Sequence, residues 1–355
     1  MIAIAAHRIF FPAALAQAMV DIGVWVFAPP PFVLPLWHAH ELVFGYGLAV
    51  AAGFLFTKTT PRAILLAAAL WTTARLVWLT PNSSPMLRAA LTVLATGVIV
   101  TIAAGSFWRG IKRGQNVVFP TPLLVLGLCE LASQLPALGV GAEVERPAVL
   151  TALFAMVGLI LVMGGRIVGA ALSGLVQRLG GARMAPRLGL EIAILAALAG
   201  VALSFALDAP PLMLAAFAFA GSGVVLFRVA SWHAALRLAG LDLLTLLLAQ
   251  LFIAAGLAGI GAKGLDPAWP GSAPLHLVTI GGIGMTTLAM MLKTAAQRER
   301  RKMPIRIIGA TAFLLAVAAV LRAGFHAFPD IAYPLAASAW IFAMALSSIW
   351  LVWRR

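Results

Sequence analysis

An all-α bundle of about twelve membrane-spanning helices is the fold this sequence predicts, on three observations. Hydrophobic residues make up 63% of the 355 and charged residues 10%, and mean hydropathy is +1.03 over the full length. That leaves too little polar surface to solvate a globule of this size in water, so the bilayer is the solvent. The apolar residues fall in runs of about 20, the length that crosses roughly 30 Å of hydrocarbon. Lysine and arginine gather in every second loop, as loops retained on the cytoplasmic face do. Soluble-enzyme, secreted-disulfide and disordered classes are excluded. A single cysteine, Cys129, excludes a disulfide framework and any multi-cysteine zinc or iron–sulfur site. The net charge of +14 reads as basic membrane-flanking loops rather than a nucleic-acid surface. Met1 begins without a basic stretch leading to a small-residue cleavage site, so no removed signal is expected.

The spans follow in order from their boundaries. The first, 9–28, stops at Pro29-Pro30-Pro31, and the second, 38–57, at the short basic loop from Lys58 to Arg62. The third, 62–80, ends at Pro81-Asn82-Ser83, and the fourth, 88–107, at Arg109, Lys112 and Arg113. The fifth, 118–138, and sixth, 148–168, are joined across Arg146. The stretch holding Arg166, Arg178, Arg183 and Arg187 leads to the seventh, 187–207. Pro210-Pro211 opens the eighth, 211–230, and Arg228 and Arg237 flank the way to the ninth, 241–261. Asp266-Pro267 and Trp269-Pro270 precede the tenth, 274–293. A run with Lys293, Arg298, Arg300, Arg301, Lys302 and Arg306 leads to the eleventh, 305–326; the twelfth, 332–353, ends at Arg354 and Arg355. The whole chain, 1–355, reads as a single transmembrane domain with no soluble domain.

With Arg8 added, 20 of the 25 Lys and Arg fall on one side; Arg88, Arg146 and Lys263 fall on the other, and Arg75 and Arg322 lie within spans. Both termini are therefore expected in the cytoplasm. Trp25, Trp37, Trp78 and Trp269 at outer ends, with Trp108, Trp232, Trp350 and Trp353 at inner ends, fit interfacial belts.

This topology assigns a depth to each ionisable residue. His38, His40 and Glu41 open span 2 at its outer end, His276 opens span 10, and His326 closes span 11. Arg75 and Arg322 lie in the outer halves of spans 3 and 11. Charges in hydrocarbon normally face the bundle interior and have partners. Imidazoles from separate helices at one level suit a transition metal or haem iron, and arginines beside them suit haem propionates. His38 and His40 lie about 200° apart on a regular helix, whereas His38 and Glu41 share a face, so the two histidines are expected to serve different partners unless the first turn is irregular. Structural readings stand beside these. Arg75 and Arg322 also suit pairing with Glu41, Asp330 or Glu130, and His233 and His326 suit solvated interface positions. Met285, Met290 and Met291 read as core filling before copper ligation. Gly281, Gly282 and Gly284 allow close helix approach or the approach of a flat macrocycle. Gln17, Asp21, Glu130 and Gln250 are mid-depth polar groups, suited to interhelical hydrogen bonds or to relaying protons.

These residues carry a resemblance. Trp37-His38-Ala39-His40-Glu41-Leu42-Val43-Phe44-Gly45, running on to Ala52-Gly53-Phe54-Leu55-Phe56-Thr57, resembles the WHAHEMLFGF…AGFLLT signature of the NnrS family. His7-Arg8-Ile9-Phe10-Phe11 is similar to its HRPFF opening and Gly164-Gly165-Arg166 to its GGR. His276-Leu277-Val278-Thr279-Ile280-Gly281-Gly282-Ile283-Gly284 with Thr287-Leu288-Ala289-Met290-Met291 is similar to its HALTVGAIG…TLAMM. Arg75 and Arg322 fall where the family has arginines. The resemblance implies a twelve-span bacterial inner-membrane protein containing haem and copper and linked to the nitric oxide response, with no established reaction. It implies His38, His40 and His276 as metal ligands, Glu41, Arg75 and Arg322 around the cofactor, and a second, inner site at His7 and Arg166. The chain departs from the family at Arg298, Gln250 and Glu130, where family histidines are missing, and at Ile167-Val168-Gly169-Ala170-Ala171, where the family has IPFFT. The outer site is the better preserved. The expected function is thus a haem-binding and copper-binding membrane protein that senses or protects against nitric oxide, with nitric oxide as its small ligand. A twelve-span secondary transporter and a cofactor-free assembly scaffold are the alternatives.

Overall fold

In a computed structural model the chain is all-α, with no strand among the described residues: 5–28, 36–80, 82–108, 120–183, 187–266, 268–269, 271–325 and 327–353. Pro29-Pro30-Pro31, Pro81, Arg109, Lys112, Arg113, Pro267, Pro270, His326, Arg354 and Arg355 lie outside them. Twelve helical segments of 14 or more residues succeed one another among the described residues. They are α1 (Ala6–Phe27), α2 (37–55), α3 (Pro61–Trp78), α4 (Pro85–Trp108), α5 (Pro120–Ser133) and α6 (Glu145–Arg178), then α7 (Leu188–Ala206), α8 (Pro211–Ala230), α9 (Leu241–Leu265), α10 (Ala273–Arg298), α11 (Ile305–Gly324) and α12 (Pro329–Trp353). The protein is a polytopic membrane bundle: ten of these segments, α5 taken with the turn that extends it to Leu138, are long and apolar enough to cross a bilayer. The other two are α2 and α3, in which His38, His40, Glu41, Arg62 and Arg75 dilute the apolar composition.

Local chemistry sets the ends. Thr60 caps α3, its hydroxyl accepting from Ala63 N–H at 3.4 Å, and Pro61 fills the first helical position, where no donor is needed. α6 runs 34 residues, about 51 Å at 1.5 Å per residue and well past the hydrocarbon thickness. The sequence reading ends this span at residue 168 and places Arg166 and Arg178 in a loop. The helix instead continues because nothing breaks it before Gly180-Gly181. Gly180 takes a φ of 80°, and Gly181 N–H reaches back to the Val176 carbonyl at 3.0 Å, the left-handed cap that closes a helix.

Two helices change pitch. α2 is α-helical at Trp37–His40, π-helical at Glu41–Gly47 and α-helical again at Leu48–Leu55. α10 does the same, with a π-helical segment at Leu277–Gly284. Each π segment begins on the residue after a histidine, His40 in one and His276 in the other. Such widened turns re-aim side chains and occur often at functional positions.

The chain divides into two compact units, 1–156 with 348–355, and 157–347. In the first, α1 packs on α2, α3 on α4, and α4 on α5. Phe11 lies against Gly53, where a Cβ would come within 2.4 Å of its ring, so α1 and α2 approach closely. In the second, α8 packs along α9, and α10 along α9 and α11. Gly281 and Gly282 receive Phe252 and Ile253 of α9, and Gly284 receives Trp340 of α12. The glycines of α10 thus serve close helix approach, and their faces are filled by side chains.

Candidate functional site

The first unit buries a network of polar side chains from four helices. Gln17 and Asp21 come from α1, His40 and Glu41 from α2, Arg75 from α3, and Glu130 from α5, with Gln134 just beyond it. Arg75 Nη1 donates to Glu41 Oε1 at 2.6 Å, and the same oxygen lies 3.0 Å from His40 Nδ1. The other Glu41 oxygen accepts from Gln17 Nε2 at 3.1 Å, and Gln17 also donates to Asp21 Oδ1 at 2.6 Å. His40 Nε2 lies 3.1 Å from Glu130 Oε1 and 3.1 Å from Gln134 Nε2, which itself donates to Glu130 Oε1 at 2.9 Å. Gly45, inside the π segment, makes room: a Cβ there would press on Arg75 and Gln17 at 3.3 Å. The Gly45 carbonyl accepts from the Trp71 indole at 2.9 Å. Phe44 and Trp78 flank the His40 ring at 4.9 and 5.1 Å between centroids.

This geometry separates the residues that the sequence groups together. In this arrangement both His40 ring nitrogens are engaged by buried carboxylates, and Arg75 is held by Glu41 through Nη1 while its Nε is buried without a hydrogen-bond partner among the described residues. His38 lies two residues away with its ring stacked on Trp25, centroids 4.1 Å apart and planes at 24°. It has no part in the hydrogen bonds described for His40, in line with different partners for the two histidines.

His276 and Arg322 belong to the second unit, where the first turn of α10 packs on α11. His276 Nδ1 lies 2.7 Å from the Ser272 carbonyl, so Nδ1 carries the proton and Nε2 the lone pair. A metal-binding histidine is commonly held this way, its second nitrogen donating to a carbonyl. Arg322 stacks on Tyr333, Cζ 3.8 Å from the ring centroid, and its Nη1 is buried without a hydrogen-bond partner among the described residues. These two residues fit a haem ligand and a propionate partner. Within either unit, no three His, Cys, Asp or Glu among the described residues gather as a metal ion would need.

The proposed inner residues fall one in each unit. His7 is buried with its ring 6.0 Å from Phe11. Arg166 grips Glu191 of α7, donating from Nε to Oε1 at 2.9 Å and to Oε2 at 3.2 Å and from Nη2 to Oε2 at 2.7 Å. Nearby, Arg228 corrects the sequence reading, which counts it among loop charges. It lies in α8 at 4% exposure, donates to Gln250 through Nε and Nη2 and to the Leu161 carbonyl at 2.9 Å, and covers Gly165. Lys293, also counted as a loop charge, sits on α10 and pairs with Asp242. Gln134 is missed by the sequence reading. Its signal is the spacing Glu130-x-x-x-Gln134, which places both groups on one helical face.

A comparison with curated proteins returns no match. The family model described as NnrS protein matches residues 2–353. Those residues take in both π-helical segments, the histidines before them and every buried polar group described above, and nearly the whole chain is covered; the protein therefore belongs to the NnrS family.

Proposed function

We propose that this NnrS-type membrane protein binds haem through His276, with Arg322 of the adjoining α11 as partner to a propionate, and serves the response to nitric oxide in a bacterial inner membrane. One observation carries the reading: His276 is held by the Ser272 carbonyl in the tautomer that presents Nε2. Arg322 supports it, because its buried Nη1 lacks a partner among the described residues and a guanidinium pairs well with a carboxylate. The π-helical segment that starts at Leu277 supports it too, since a widened turn re-aims the histidine before it. Bound there, haem would supply iron with a position for a small neutral ligand such as nitric oxide, which partitions into bilayers and needs no polar channel. Copper belongs to the same proposal through the family alone, and no residues are assigned to it.

The test is an absorbance spectrum of protein purified after expression with ample haem. A Soret band is expected in the parent and in His233→Ala, and its loss in His276→Ala. Colourless parent protein, or a band unchanged in His276→Ala, overturns the reading.

A further inference from the structure

We propose that a cavity at the arginine-rich end of the second unit binds an anionic phospholipid, with an acyl chain inside and the phosphate on the arginines around its rim. The cavity lies where the last turns of α6, which outrun the hydrocarbon thickness, meet the connection from α8 to α9. Trp232 seats that connection on α6: a Cβ at Gly169 would lie 3.8 Å from its ring, an ordinary packing contact. The space is about 380 Å³, within the range of small-molecule sites. Trp232 and Ala235, both buried, line its floor, while Leu179 at 71% exposure and Leu238 at 38% line its rim. Apolar surface is thus left open where the helices end, and a hydrocarbon chain would cover it.

The surroundings are cationic. Residues 167–190 and 229–241 contain Arg178, Arg183, Arg187 and Arg237 and no Asp or Glu. All four arginines are exposed, and none of their guanidinium groups is paired among the described residues. The carboxylates that border these segments are taken, Glu191 by Arg166 and Asp242 by Lys293. Arg178 adjoins Leu179 in the chain, Arg237 adjoins Leu238, and Arg183 follows Gly181 of the lining by two residues. Behind the floor, Arg228 Cζ lies 5.9 Å from the Trp232 ring centroid. Its donors go to the Gln250 amide oxygen and the Leu161 carbonyl, so no carboxylate in contact cancels its charge. A ligand for this place is apolar at one end and anionic at the other. Free phosphate would leave the apolar floor bare, and a lipid without net charge would leave the arginines unanswered. A phospholipid with net negative charge meets both demands, and basic pockets between membrane helices bind such headgroups.

The full-length protein in neutral detergent, titrated with phosphatidylglycerol or phosphatidylcholine and read by native mass spectrometry, tests this. The parent must hold one phosphatidylglycerol and bind phosphatidylcholine about tenfold more weakly or worse. Arg178→Gln combined with Arg237→Gln must weaken phosphatidylglycerol by about fivefold for each arginine removed. Lys58→Gln combined with Arg62→Gln removes the same charge from exposed positions of the first unit and must leave binding unchanged. Leu179→Asp places a carboxylate on the exposed rim, away from the core, and must weaken binding as well; it decides the matter if the arginine pair fails to fold. Equal affinity for the two lipids, equal losses in the two charge-removed pairs, or binding unchanged in Leu179→Asp overturns the site.

Discussion

Arg75 and Glu41, from neighbouring helices and 34 positions apart in sequence, form a buried ion pair at 2.6 Å around which the first unit's polar network is arranged. Breaking one side of such a pair is far more damaging than never having had it, because the remaining charge is left uncompensated. Arg75→Met is therefore expected to cost about 3–5 kcal/mol. Adding Glu41→Gln removes the stranded charge and should recover part of that loss. Unfolding in mixed micelles of the parent, the two single variants and the double variant measures the coupling. Simple additivity of the two substitutions would show that the pair does not interact as described.

In the second unit, Arg228 and Gly165 are coupled through space. A Cβ at Gly165 would lie 2.7 Å from the Arg228 Nη1 atom, which is already held by the Leu161 carbonyl. Gly165→Ala should be destabilising in the parent and much less so in the Arg228→Met background, where the guanidinium is gone. Arg228→Met itself leaves Gln250 and the Leu161 carbonyl without their donor, at a cost of about 1–3 kcal/mol. Thermal melting of the four proteins distinguishes this from two independent effects.

The filled glycine faces of α10 give a steric prediction. An added methyl at Gly282 would meet Ile253 at 2.3 Å, where neither backbone can withdraw without separating α9 from α10. Gly282→Ala should cost about 1–3 kcal/mol through overpacking. Truncating the facing side chain with Ile253→Ala should restore much of it, read as the melting temperature of the double variant against each single one.

Orientation is open to direct labelling. Ser84 precedes α4 and Ala182 follows the cap of α6, and both are exposed. The charge distribution predicts that a membrane-impermeant maleimide reaches Ser84→Cys in intact cells and Ala182→Cys only after permeabilisation, with the buried Cys129 silent in both. Labelling of both sites from one side would rule out the twelve-span alternation.

The sequence by itself determined the solvent, the helical fold and the family, and it did so through quantities that add along the chain. Hydropathy accumulates over 20-residue runs, and turn residues punctuate them. Motifs such as Trp37-His38-Ala39-His40-Glu41 are contiguous, so they can be read without knowing what lies opposite. Depth was legible too, which is why Gln17, Asp21, Glu130 and Gln250 stood out as polar groups inside hydrocarbon. Partnership was not, because depth gives the height of a side chain along the bundle and not its bearing around the helix. A π-helical turn beginning at Glu41 changes that bearing, and no residue in the run announces it. Only the tertiary structure placed His40 between two carboxylates, set Arg75 against Glu41, and turned Arg228 from a loop charge into a buried donor. A guanidinium on a long side chain reaches loop water or a buried carbonyl equally well, and what decides is which helix packs against it.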